Sequence, residues 1–303
     1  MTTLTSSHWS YAIDPGVQGH FEIGFSRRAS LRDALFSIKG STLASEEIFG
    51  SGAVGVDAWD TYRLSGQVGQ ADFDQGYKKT FTHQERVVET DIKQLLYRTS
   101  QFNSIFNIAS KLGNSASLKM EYDAVSVFNN GFDDNFAGAD AVGLLSAAHP
   151  HSPHNTGDTQ VNENTFALTN DNVSTTREAM MAFTDDKNQK VGVTPNLLIV
   201  PPGLEDEAIR IVGSQQEPTN ATNAINPQFG RLNYVVWHYL TDANAWFMVD
   251  TNLMADHLLW FNESPISVKP KVQDETIVAT WIAYMNYSYG WTDWRWIYGN
   301  NPS

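Results

Sequence analysis

The sequence of 303 residues contains no cysteine. That excludes disulfide bridges, thiolate metal sites and a cysteine nucleophile. Charge is scarce as well: Asp, Glu, Lys and Arg make up 18% of the chain, against about 25% in an ordinary soluble domain. What charge there is leans one way, with 34 acidic and 20 basic residues and a net charge of −14. Such a chain is repelled by nucleic acid as a whole, because binding phosphates takes clustered Lys and Arg that displace counterions. No run of about 18 consecutive apolar residues occurs, so no membrane-spanning helix is expected. The start, Met1 to Trp9, lacks the basic and apolar regions of a secretory signal, which predicts an intracellular, soluble product. A Gly-x-Ser-x-Gly elbow and a Walker-type loop are also missing. Aromatic residues, by contrast, reach 12% with nine tryptophans, and the apolar fraction of 41% is ample for a core. Low charge with many aromatics is the composition of surfaces that meet other protein. Composition alone leaves an enzyme equally open.

Length suggests about two domains' worth of chain. Arg27, Arg28, Arg32 and Lys39 form a basic stretch in an acidic protein. It reads either as a solvated helix face or as an arm that docks on an acidic neighbour. Gly50, Gly52 and Gly55 spell Gly-x-Gly-x-x-Gly, but Glu46-Glu47 precedes them and Asp57 to Asp60 follows. A dinucleotide site needs a buried strand before the glycines and an apolar helix after them, so the string is a decoy. Residues 61–82 read as two extended stretches around a Gly/Asp-rich middle, a long projecting hairpin with Tyr77 to Phe81 as a half-exposed strand. From Phe102 to Phe128 apolar residues recur every three or four positions, predicting one helix of roughly 40 Å. Gly113-Asn114 is expected to weaken or bend it, and Asn129-Asn130-Gly131 to stop it through a left-handed glycine.

Beyond Gly131 the chain reads as loop to His154, then as an Asn/Thr-rich stretch. Thr175-x-x-Glu178 predicts a capping box for a short helix bearing Ala179, Met180 and Phe183. Leu197 to Val200 reads as a strand ended by Pro201-Pro202, and Glu205, Asp206 and Glu207 as the first turn of a helix. Tyr234–Tyr239 and Ala245–Val249 read as strands around a turn at Thr241–Asn244. The tail from Val268 to Tyr298 is strand-rich, and Trp281, Trp291, Trp294 and Trp296 fall within it. They are expected to pack into a core, with a sugar-binding groove as the rival reading.

His149, His151 and His154, with Asp133, Asp134 and Asp140 upstream, form the one cluster with metal-ligand chemistry. Pro150 and Pro153 prevent a helical His-x-x-x-His presentation and no Glu is placed as a general base, so ordinary hydrogen-bonded histidines are expected. Asp185-Asp186 and Glu205/Glu207 are explained by helix ends, and nothing fixes two carboxyls across a cleft. No catalytic constellation, metal or cofactor is expected.

Several segments in order carry a family resemblance: Gln75-Gly76-Tyr77-Lys78-Lys79-Thr80-Phe81-Thr82-His83, Leu144 to Pro150, Phe183 to Asp186 with Pro195 to Glu205, Tyr239 to Phe247, and Tyr289 to Arg295 with Tyr298-Gly299. Together they resemble the major head (capsid) proteins of Mu-like tailed phages, of the Hong Kong 97-type fold, over about Gln75 to Gly299. The match weakens in the first 70 residues, and Trp281 and Trp296 are bulkier than the family suggests. The resemblance implies an α+β Hong Kong 97-like fold. Its parts would be an N-terminal arm and start of the peripheral domain at 1–49, an extended loop at 50–82, the peripheral domain with its spine helix at 83–131, an axial domain at 132–255, and C-terminal peripheral strands at 256–303. It further implies an enzymatically inert subunit of the virion capsid that assembles with itself, as hexamers and pentamers, into an icosahedral shell enclosing double-stranded DNA. Portal, scaffold and decoration proteins would be partners, and no membrane. Assembly contacts are expected from Trp59, Tyr62, Tyr77, Lys78, Lys79 and Phe81 of the loop and from Arg27, Arg28 and Arg32 of the arm. Lys78 and Lys79 lie where some members form lysine–asparagine crosslinks, but no motif establishes that chemistry and none is expected. The alternatives are an encapsulin-like compartment and, from another class, a metal- or carbohydrate-binding protein. Removing residues 60–79 is expected to leave a foldable subunit unable to close a particle.

Overall fold

The computed structural model describes residues 6–51, 53, 74–93, 102–216, 224–271 and 278–302. The chain begins with a helix that the sequence does not advertise, α1 (Ser6–Phe25), with Pro15 inside it. A five-residue turn of helix, α2 (Leu31–Leu35), follows. The expected spine is present as α3 (Phe102–Asn129). Gly113 does not interrupt it; the glycine lets α1 come close. A Cβ there would lie 2.8 Å from the Phe25 nitrogen and nearer still to the Phe21 carbonyl oxygen, and one at Gly24 would strike the Ser110 backbone. Both are far inside ordinary van der Waals contact, so only glycine fits at this crossing. Val17 and Phe21 of α1 are thereby sealed against Ile105, Ala109 and Ala116 of α3 and against Trp281. Gly131 does follow the spine, but it is not among the described glycines of positive φ. Its lack of a side chain instead admits Leu145, which a Cβ would meet at 3.1 Å.

Two sheets divide the strands. The first runs β1 (Ser37–Gly40), β11 (Leu258–Lys271), β12 (Val278–Trp291), β4 (Gln84–Lys93), with β1 parallel to β11 and the rest antiparallel. The second runs β7 (Glu163–Asn164), β13 (Ile297–Asn300), β10 (Trp246–Val249), β8 (Leu197–Val200), β9 (Asn233–Val236). Every residue of β8, β10 and β13 is buried, as continuous apolar runs at the centre of a covered sheet require. The stretches at 234–239 and 245–249 therefore do not pair with each other: β8, from fifty residues earlier, sits between β9 and β10. Nor does the C-terminal segment belong wholly with the first sheet, because β13 joins the second.

Two hairpins complete the strands. β2 (Ser45–Ser51) pairs with β3 (Gln75–Thr82), the root of the expected hairpin, whose residues 54–73 lie outside the described residues. β5 (His149–Ser152) pairs with β6 (Asn155–Gln160), where the sequence suggests only loop. Helix α4 (Asn170–Met181) starts five residues before the expected capping box, because Thr169 accepts the Asn172 N–H and caps it. Thr175 lies within the helix and bonds back to the Asp171 carbonyl. The acidic first turn at Glu205 opens α5 (Glu205–Gly213) as expected, and α6 (Thr251–His257) is capped by Asp250. Trp237, Trp246, Trp260 and Trp296 are fully buried, and Trp281, Trp291 and Trp294 nearly so. These seven tryptophans are core, not groove.

Candidate functional site

The root of the hairpin is where chemistry-bearing side chains converge. Gly50 and Gly76 face one another with a Cβ at either meeting the opposite backbone, so β2 and β3 lie unusually close. Past this point two polar contacts moor the hairpin to the body. The Ala53 N–H donates to Asp186 at 2.9 Å, and Lys187 Nζ lies 2.7 Å from Asp74 Oδ2. Asp185 shapes that anchoring turn by accepting the Lys187 and Gln189 N–H groups.

The loop residues named from the sequence separate into distinct environments. Trp59 and Tyr62 lie outside the described residues. Lys78 is exposed, ion-paired with Glu47 at 2.7 Å and set over the Phe49 ring. Lys79 is half-buried: its ammonium donates to the Ala137 carbonyl at 3.1 Å and lies 5.3 Å from the Trp291 ring centre. Burial pushes Lys79 below the ordinary lysine value, with the charge of Asp140 partly opposing. Tyr77 is half-buried, its hydroxyl enclosed without a hydrogen-bond partner, and burial pushes its phenol up. Phe81 is 3% exposed and packs on Leu259 and Phe261. It holds the hairpin to β11 from within the subunit's core.

The basic stretch also splits. Arg27 is exposed, and exposed Arg28 reaches the Tyr239 hydroxyl at 3.2 Å. Arg32 is buried, bonding Asp33 and the Met120 sulfur and lying over the Trp260 ring. Arg32, expected in the docking arm, thus lies inside the subunit. The reason lies in a network that sequence spacing does not reveal. Trp260 stacks on Tyr287 at 4.5 Å, and the Arg86 guanidinium covers the other ring at 4.1 Å. Asp123 on the spine accepts from the Tyr287 hydroxyl, Arg86 and Lys119. Desolvation first, and then the bond to Asp123, push the Tyr287 phenol far up. Two residues earlier Glu121 receives the Ser30 hydroxyl and the Leu31 N–H at the start of α2. Two buried acids thus tie α2, β4 and β12 to the spine. Their spacing within a long helix is the only trace of this in the sequence.

The histidine cluster is dispersed. His149 is fully buried, with Nδ1 2.7 Å from Asp140 Oδ2 and Nε2 3.1 Å from Asn162 Oδ1, and its ring stacks on Trp294. His151 faces the Asp185 carbonyl. Among the described residues no group of three His, Asp or Glu side chains gathers as a metal site. No described helix is long and apolar enough to cross a membrane.

A family model described as phage capsid protein matches residues 90–300. No curated protein matches the sequence. Among solved structures, the capsid of bacteriophage JBD30 decorated with minor capsid protein trimers is similar with a TM-score of 0.57 and 14% identity, covering 79% of this chain and 100% of that one. A structure from Microbacterium phage Oxtober96 matches at 0.57 and 10%, over 91% and 92% of the two chains. A virus-like particle from Pyrococcus furiosus matches at 0.54 and 8%, over 94% and 98%.

Proposed function

The chain belongs to the phage capsid protein family and is a capsid subunit, and from that premise we propose that many copies close into the icosahedral head of a tailed phage around double-stranded DNA. The observation that carries the reading is the family match over 90–300, on a fold with a long spine helix and a moored hairpin root. The chain's job is then mechanical: each subunit buries several modest contacts, and closed symmetry makes their sum a stable shell. In this reading α3 and the four-stranded sheet form the peripheral domain, and the five-stranded sheet forms the axial domain around the symmetry axes. Trp59, Tyr62, Tyr77, Lys78 and Lys79 remain candidates for contacts with the next subunit, as do Arg27 and Arg28. Portal, scaffold and decoration proteins are the expected partners. A net charge of −14 suits an inner wall from which packaged DNA slides freely.

The likeness to the Pyrococcus furiosus virus-like particle supports a second reading, a protein compartment without a genome. Negative-stain microscopy of the purified protein, with nuclease-protected DNA and co-purified protein assayed together, separates the readings. Particles that hold DNA when made in a phage-producing cell support the head, and particles filled with another protein support the compartment. A stable monomer of 33.8 kDa that forms no particle under any assembly condition would defeat both.

A further inference from the structure

Between β3, β4, β12 and the turn at 135–137 lies a groove of about 390 Å³. Although the chain carries 34 acidic side chains, none of the described residues that line it is acidic. Its cations are Arg86 and Lys79. Arg86 is neutralised, its Nε 2.8 Å from Asp123. Lys79 has only the Ala137 carbonyl and the Trp291 ring face. The carboxylate that acts on it through space, Asp140, is itself bonded to His149 at 2.7 Å. A half-buried ammonium has surrendered hydration, and a neutral carbonyl repays only part of that cost. The rim bears Phe136, which is 51% exposed. An unpaired cation beside an exposed aromatic ring is a receptor for a carboxylate carried on a partly apolar segment.

We propose that this groove receives a carboxylate-bearing segment of a second copy of this chain, seated between Lys79 and Phe136. The proposal rests on the capsid reading, which supplies the second copy. Charge complementarity selects that occupant: copies with a net charge of −14 bring carboxylates in excess to every contact, and this groove is acid-free.

Two measurements test it. Lys79→Met and Lys79→Arg subunits are compared with the unmodified chain for the protein concentration at which particles form, with circular dichroism confirming the fold. Lys79→Met is expected to raise that concentration at least tenfold, and Lys79→Arg, which keeps the charge, to restore most of it. Separately, acetic anhydride labelling of Lys79 in the unmodified protein is read by mass spectrometry, free and assembled, each normalised to the unfolded chain. Assembly is expected to cut labelling at least tenfold. Normal assembly of Lys79→Met, or equal labelling in subunit and shell, overturns the groove while leaving the shell intact. If Lys79→Met fails to fold, the labelling result alone decides. An unmodified chain that never forms particles refutes the capsid reading, and the groove with it.

Discussion

Replacing Gly113 by alanine sets two magnitudes of opposite sign against each other. In the interior of an exposed helix, Gly→Ala stabilises by about 1 kcal/mol, because alanine loses less backbone entropy. At Gly113, however, the new Cβ would lie 2.8 Å from the Phe25 nitrogen, whereas ordinary contact begins at 3.4 Å. The shortfall is 3.4 − 2.8 = 0.6 Å, so α1 must back away from the spine by at least that much. A gap of that size forfeits about a quarter or more of each dispersion contact across it. Here the contacts belong to Val17, Phe21, Ile105, Ala109 and Trp281, all buried. Overpacking of this kind costs about 1–3 kcal/mol, more than the propensity gain, and Gly113→Ala should destabilise. Gly24→Ala should do the same, since its Cβ would lie 2.6 Å from the Ser110 carbonyl carbon. Both demand the same separation, so the double substitution should cost less than the sum of the singles. Gly19→Ala is the control on the same helix: nothing lies within 4 Å of its Cβ, and it should be neutral or stabilising by up to about 1 kcal/mol. Hydrogen exchange across α1 with denaturant melts of the subunit measures all four variants. A Gly113→Ala protein at least as stable as the unmodified one would show that the helices are not in close contact.

Three further outcomes are expected. Glu121→Ala strips α2 of the carboxylate that receives Ser30 and Leu31, and should cost about 1–3 kcal/mol in a urea melt; an unchanged midpoint would deny that contact. Burial by itself would raise the Asp293 carboxyl, but Arg295 and His257 outweigh it and hold it below the ordinary range. Its contribution is therefore complete above the unfolded value of about 3.9 and lost as pH falls through the lower folded value. Asp293→Asn should lower stability at pH 7 and lose little more on acidification, and equal deficits at pH 7 and pH 2 would contradict this. Because β3 begins at Gln75 and Phe81 is core, removing 60–79 cuts into a strand. Replacing only 54–73 by a short glycine linker should leave a folded subunit that builds no closed particle, and normal shells by electron microscopy would exclude the hairpin from assembly.

The sequence exposes what local periodicity encodes. The spine, the buried strand at Leu197 to Val200 and the packing of the C-terminal tryptophans are legible because burial imposes a repeat or an apolar run. Helix α1 is hidden because Gly16, Gly19 and Gly24 beside Pro15 look like breakers, whereas Gly24 is space for another helix. The order of the second sheet is hidden because β8 reaches β10 across fifty residues, and no turn signal reports a strand inserted from afar. Arg32 reads as solvated because charge usually is; only the Trp260 ring and the groups around it, from distant segments, make its burial tolerable. Lys79 is visible as a lysine on a strand, but the absence of acid around it exists only in three dimensions.

The place of β13 has a consequence in time. It lies between β7 and β10 in the second sheet, yet it is made 297 − 249 = 48 residues after β10 ends. At about 5–20 residues per second, β10 waits some 2–10 s with one flank open. β8 already has β9 and β10 beside it, but the free flank of the fully apolar β10 cannot be completed by anything synthesised earlier except by mispairing. The β10 flank of the second sheet therefore stays open until residues 297–300 have been made.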